Sequence, residues 1–152
     1  MSKKVSSGIL LYRIRPDGPE FFLVHPGGPF WKKKDLHAWS IPKGETEVTE
    51  NLLETAVREF LEETGTILNG EFRSLTPVRQ KSGKYVHCYA LEGDLDPSSI
   101  ISNMFEMEWP PSSGQRQSFP EVDRAEWFNA ADAKEKINES QYSFIKELLA
   151  LI

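Results

Sequence analysis

The sequence predicts an α+β fold, on three observations. Two short apolar runs, Ile9-Leu10-Leu11-Tyr12 and Phe21-Phe22-Leu23-Val24, flank the turn-forming segment Arg15-Pro16-Asp17-Gly18-Pro19 and read as a hairpin. Residues 50–64 carry apolar positions at helical spacing. The later strand and helix signals follow no regular βαβ alternation, which disfavours a doubly wound sheet. With 152 residues, 39% of them hydrophobic, the chain can bury one core and is expected to be a single domain over 1–152.

Each element follows from its local pattern. After the hairpin comes a glycine- and lysine-rich loop, Pro26-Gly27-Gly28-Pro29-Phe30-Trp31-Lys32-Lys33-Lys34, and then a short strand at 38–41 stopped by Pro42. The helix over 50–64 is expected to be capped by Thr49, with Val48 and Leu53 as a hydrophobic staple. Gly65 sits where a left-handed C-cap belongs. Leu53, Ala56, Val57, Phe60 and Thr64 share one face of it. Residues 72–78 and 85–91 read as strands. So does 104–109, where Phe105, Met107 and Trp109 alternate with Met104, Glu106 and Glu108. Pro110-Pro111-Ser112-Ser113-Gly114 breaks the chain into a surface loop, residues 122–128 form another strand, and a C-terminal helix starts after Ser140.

Charge and cysteine usage narrow the function. A net charge of -5 gives little support to a nucleic-acid-coating role, so no nucleic-acid partner is expected. Cys88 is the only cysteine, which excludes an internal disulfide framework and a cysteine-based zinc site; it reads as a small buried thiol. No apolar run approaches the ~20 residues of a membrane span. The start, Met1-Ser2-Lys3-Lys4-Val5, is followed by no signal-peptide apolar core. The expectation is a soluble cytoplasmic protein without a membrane partner.

The chemistry lies on the 50–64 helix. Glu59, Glu62 and Glu63 have i, i+3, i+4 spacing and cluster within an arc of about 100°. Like charges at this spacing destabilise a helix by a few tenths of a kcal/mol per pair, and near the C-terminus the macrodipole disfavours them further. A hard divalent cation such as Mg2+ or Mn2+ would compensate, since both prefer carboxylate oxygen and water. The alternative is a solvated acidic face.

The flanking residues weigh in favour of the metal. Gly44, five residues, Glu50, seven residues, then Arg58-Glu59-Phe60-Leu61-Glu62-Glu63-Thr64-Gly65-Thr66 resembles the Nudix box at every fixed position. The one departure is Thr66 in the final apolar slot, a packing position. The resemblance implies a mixed sheet sandwiched between helices, and metal-dependent hydrolysis of a nucleoside diphosphate linked to another moiety. It implies that Glu59, Glu62 and Glu63 bind the metal, that Glu50 supports the metal site or its water, and that Arg58 orients the carboxylates. Gly44 would allow close backbone approach to metal or phosphate. Glu121, outside the box, is a candidate extra ligand or base, with a solvated loop acid as the alternative. A pyrophosphate repels an attacking hydroxide; bound metal offsets that charge and acidifies water, and one carboxylate must take the proton.

Substrate choice is less sharply written. Trp31, Trp39, Tyr85, Phe105 and Trp109 are possible base-stacking rings. Tyr85 is the first choice, because a tyrosine lies at about this distance past the box in the diadenosine polyphosphate hydrolases that the chain resembles. Trp39, Lys43 and His37 are the further substrate-binding candidates, with Lys43 and the run Lys32-Lys33-Lys34 suited to a polyphosphate. The expected substrate is a dinucleoside polyphosphate or a nucleoside triphosphate. An ADP-sugar, weakened because Pro77 lies too near the box, and a non-catalytic nucleotide-binding module are the alternatives. The segment 94–120 matches neither enzyme subgroup and is expected to carry this chain's own specificity.

Overall fold

The computed structural model describes residues 5–152. Lys3 and Lys4, in the start that was read for a signal-peptide pattern, lie outside them. In chain order the elements are β1 (Val5–Arg15), β2 (Gly18–Pro26), β3 (Lys43–Glu45), α1 (Leu52–Thr64), β4 (Arg73–Ser74), β5 (Val78–Arg79) and β6 (Tyr85–Glu92). They are followed by β7 (Met104–Glu108), β8 (Arg116–Pro120), β9 (Val122–Asn129), α2 (Ala130–Lys136) and α3 (Tyr142–Leu151).

β1 and β2 form the expected hairpin, with Arg15 opposite Gly18 across Pro16 and Asp17. β6 lies parallel to β1 along eight residue pairs, and β9 lies antiparallel to β2, giving the order β4-β6-β1-β2-β9 with β3 on β1 and β5 on β6. The sheet is therefore mixed. Strand alternation sorts its side chains into two cores. Ile9, Leu11, Phe22 and Val24 pack under Ala56 and Phe60 of α1. Leu10, Phe21, Leu23, Val86 and Cys88 pack against Ile137, Phe144, Ile145 and Leu148 on the other face. This is an α+β sheet between helical layers, as expected. Cys88 is buried, and burial raises its thiol pKa well above the usual range, which fits an inert core thiol. No helix among the described residues is long and apolar enough to cross a membrane.

Three local expectations need correction. The first helix starts at Leu52 and is capped by Asn51, not Thr49: the Asn51 side chain accepts from Glu54 N–H at 2.8 Å, and Glu54 accepts from Asn51 N–H at 3.3 Å. That reciprocal box outcompetes a single threonine cap, and Val48 is fully exposed, so there is no staple. The expected strand at 72–78 is two short pieces. Between them Leu75 N–H bonds Cys88 O, Thr76 N–H turns to Glu147, and Pro77 has no N–H to give. Residues 38–41 make isolated bridges, Val24 to Ser40 and Trp39 to Ile137, in place of a strand. The surface loop expected at 110–114 is present and exposed; it joins β7 to β8, which pair in a separate two-stranded ribbon.

The Asn51 box makes a measurable claim about stability. Asn51→Ala should cost about 1 kcal/mol in urea unfolding, whereas Thr49→Ala should change stability by less than about 0.5 kcal/mol. Equal losses in the two variants would return the cap to Thr49.

Candidate active site

The site is built where the start of β1, the 41–45 approach, the C-terminal half of α1 and the start of β9 converge. β3 places Gly44 opposite Ser7, under α1. A Cβ on Gly44 would overlap the Glu59 carboxylate, so the glycine is required by Glu59 itself. Gly8 is required in the same way, since its Cβ would meet Pro42 O and the Lys43 side chain. The approach is fixed from behind by Gln141, 1% exposed, whose Oε1 accepts from Ile41 N–H at 3.0 Å.

Arg58 organises the carboxylates. Its Nε donates to Glu50 Oε2 at 2.7 Å, its Nη1 to Glu59 Oε1 at 2.9 Å and to Glu62 at 3.2 Å, and its Nη2 to Glu50 Oε1 and the Glu45 carbonyl. The Arg58 hydrogen bonds hold the Glu50 carboxyl down at about 2, and those same acids raise the Arg58 pKa. Glu50 also accepts from Thr55 Oγ1 at 3.0 Å.

Glu59, Glu63 and Glu121 each present a carboxylate oxygen within 4.8 Å of the other two. Glu59 and Glu63 are 9% and 8% exposed. Burial raises both of their pKa values; Glu62 pushes Glu59 further, while Glu59 and Glu121 push Glu63, which stands well above the ordinary value. Burial, then Glu62, raises Glu121. Three acids, two from α1 and one from the bend between β8 and β9, therefore share one spot with too little local positive charge. Their oxygens are the donor set a hard divalent cation takes, so the residues fit such an ion. Glu62 borders the trio, with its carboxylate on Arg58.

Glu63 and Glu121 stand in a cleft of about 300 Å³ lined also by Lys43, Trp31, Gln80, Asn138 and Gln141. Lys43 is the cation of this cleft. Burial lowers its pKa and Lys84 lowers it further, while Glu63, Glu59 and Glu45 oppose the fall. The Lys43 backbone and its side-chain charge both act against the rise in the Glu63 pKa.

The other sequence candidates are placed differently. Trp39 is a correction: it is 1% exposed, donates to Asp35 at 2.9 Å and packs edge-on against Phe128 and His25, so no ring face remains for a base. Tyr85 belongs to β6 and does not line the cleft, whereas Trp31 does. His37 lines a neighbouring cleft with Lys81 and Ser82, and Gln80 and Asn138 line both. Sequence reasoning left His25 unassigned. It is fully buried, with Nδ1 2.8 Å from Asp123 and Nε2 donating to Lys34 O at 2.7 Å, and it closes the loop that carries Trp31. A lone histidine at the end of a strand gives no signal of such a role. Gln80, Asn138 and Gln141 likewise had none.

A helix whose acids converge with a distant glutamate beneath a mixed sheet's open end defines a carboxylate-lined small-molecule site. The NUDIX domain profile matches residues 4–148, and the chain belongs to the Nudix family. It is similar to nucleoside diphosphate-linked moiety X motif 6 of Xenopus laevis, 39% identical over 86 residues. That match covers 51% of this chain and 36% of the relative, so the chain spans about a third of the relative's length. The asymmetrical bis(5'-nucleosyl)-tetraphosphatase of Mus musculus is 44% identical over 57 residues, covering 34% of this chain and 39% of that protein. An Ap4A hydrolase of C. elegans shares the fold at a TM-score of 0.63 and 19% identity, covering 97% of this chain and 96% of that one.

The Glu50–Arg58 pair should show in acid. Because the folded Glu50 pKa lies below its ordinary 4.5, its contribution is present above pH 4.5 and is lost as pH falls from 4.5 toward 2. In metal-free buffer, Glu50→Gln should be less stable than the parent at pH 7, and the gap should close by about pH 2–3. A gap unchanged across that window would remove the ion pair as its cause.

Proposed function

We propose that the protein is a metal-dependent Nudix pyrophosphohydrolase that cleaves a nucleoside diphosphate linked to another moiety, a dinucleoside polyphosphate first and a nucleoside triphosphate second. The observation that carries this reading is the convergence of Glu59, Glu63 and Glu121 at the foot of a cleft whose cation is Lys43. Those three acids, with Glu62 beside them, would hold Mg2+ or Mn2+, which supplies charge neutralisation and water activation when bound. Arg58 and Glu50 keep the carboxylates aimed, and the Gly44 backbone lets Glu59 lie close. Lys43 would meet phosphate oxygens, and Trp31, at the same cleft, would take a base on its ring. The adjoining cleft of His37, Lys81 and Ser82, about 430 Å³, gives a second moiety somewhere to lie, which favours the dinucleotide over the triphosphate. The chain's similarity to the tetraphosphatase supports the same order. A cytoplasmic location goes with such a substrate.

Hydrolysis should require Mg2+ or Mn2+, and Glu63→Gln should lower the rate on the order of 100-fold, by analogy with losing one electrostatic stabiliser. Product chromatography on diadenosine tetraphosphate, ATP and ADP-ribose checks both points. Nucleotide binding without any product from the parent protein would establish a binding module instead, and a marked preference for ADP-ribose would move the substrate to the ADP-sugars.

The two candidate rings separate by kinetics. Trp31→Ala should raise KM about 5- to 150-fold, the effect of removing a stacking ring worth ~1–3 kcal/mol, with kcat less affected. Lys43→Ala should instead lower kcat, because phosphate charge is redistributed as the bond breaks. A larger KM rise in Tyr85→Ala than in Trp31→Ala would return the base to Tyr85.

A further inference from the structure

Residues 94–120 carry none of the carboxylate machinery, yet they touch both halves of the site. At the root, Asn103 N–H donates to the Glu62 carbonyl at 2.8 Å and Ile101 N–H to the Thr64 carbonyl at 2.9 Å, at the C-terminal end of α1. Asn103 O accepts from Glu121 N–H at 2.8 Å, so the same residue fixes the backbone of the third acid. From there the β7–β8 ribbon rises with Phe105 opposite Phe119, their rings 6.0 Å apart. Phe105, Met107 and Trp109 form its half-buried side, while Met104, Glu106 and Glu108 are exposed.

That half-buried side meets the loop carrying Trp31. A Cβ on Gly27 would collide with Pro120 O, and one on Gly28, whose φ is +98°, would lie 3.0 Å from the Phe105 ring. The two glycines are where the ribbon presses on the loop. Gly27 N–H donates to Glu121 O at 2.9 Å, and Phe30 meets Trp109 edge to face, with ring centroids 5.4 Å apart at 77°. On the other side the loop is tied by His25 to Lys34 O. Trp31, next to Phe30, lines the cleft.

We propose that the β7–β8 ribbon is the specificity-determining element of the nucleotide site, with Trp109 as a positioning residue that holds Phe30 and thereby sets Trp31 against the base. This rests on the nucleotide reading given above. Trp109 acts through Trp31 and does not line the cleft itself. Backbone bonds and His25 hold the two ends of the loop, while the contacts on the Trp31 ring itself are weaker: Lys34 lies over it at 4.9 Å, an exposed contact that fixes little. The ring pair gives the loop a rigid stop, and a pre-set ring binds a base with less ordering cost.

The test is a double-mutant cycle on the full chain, read by steady-state kinetics with ATP and diadenosine tetraphosphate. Binding of ATP in Ca2+ buffer is read in parallel by calorimetry. Trp109→Ala should raise KM and Kd about 3- to 10-fold, the size expected for one aromatic pair, with kcat within about twofold. Trp109→Phe should restore most of the loss. In a Trp31→Ala background, Trp109→Ala should add nothing, because its effect runs through that ring. An unchanged Kd in Trp109→Ala, or effects that multiply in the double variant, would overturn the proposal. Phe30→Ala makes the same test from the loop side if the ribbon variant does not fold. Binding of ATP by the parent without hydrolysis would overturn the hydrolase reading alone, and a Trp109→Ala protein that binds and turns over like the parent would overturn this one alone.

Discussion

The fold depends on keeping several carboxylates close together and largely out of water. Glu59 and Glu63 are buried, and Glu121 shares their space. In a medium of low effective dielectric such acids repel strongly, and each loses hydration. The structure offsets part of this with a single guanidinium. Arg58 touches Glu50, Glu59 and Glu62 at once, and its planar fork suits several acceptors in a way that a lysine would not. Lys43 offsets a further part at Glu63 and Glu59, yet burial and mutual repulsion still leave both acids with raised pKa values, the imbalance a bound cation would relieve. Gly44 and Gly8 follow from it: backbone must come close to these acids and to Lys43, and a side chain at either position would prevent it.

The box itself was legible because its function is written in spacing. Residues three and four apart on a helix must share an arc, so Glu59, Glu62 and Glu63 could be grouped without coordinates. The β1–β2 hairpin was legible for a similar reason, since Pro16-Asp17-Gly18 carries its own turn chemistry. The parts that could not be read depend on contacts distant in sequence. Trp39 and Trp31 were both candidate stacking rings, yet the bridge to Ile137 holds one in the core while the other lines the cleft. Thr49 and Asn51 are both competent caps, and only the reciprocal bond with Glu54 decides between them. Glu121 was named from sequence, but nothing local distinguished a ligand from a loop acid. Its place beside Glu59 and Glu63 comes from β9, whose antiparallel pairing with β2 brings the strand's start beside Gly27 and the end of α1.

The C-terminal end of α1 shows how the two parts of the molecule depend on each other. A helix end exposes carbonyls without intrahelical partners, and its dipole disfavours nearby anions such as Glu62 and Glu63. Gly65 relieves one carbonyl with a left-handed turn, its N–H reaching Leu61 O at 2.7 Å. Ile101 and Asn103 relieve two more with N–H groups from the ribbon's root. Those donors do more than satisfy the helix. They bring the chain back across the acidic end, so that Glu121 enters the site at a backbone position set by α1 itself. The 94–120 segment is thus attached at the acidic end of α1, beside Glu59, Glu63 and Glu121. A change in the ribbon's far end can alter how Trp31 is held, while its root keeps Glu121 in register with Glu59 and Glu63. The far end of the ribbon bears on the Trp31 loop and its root on the acids, so one segment makes two separate contacts.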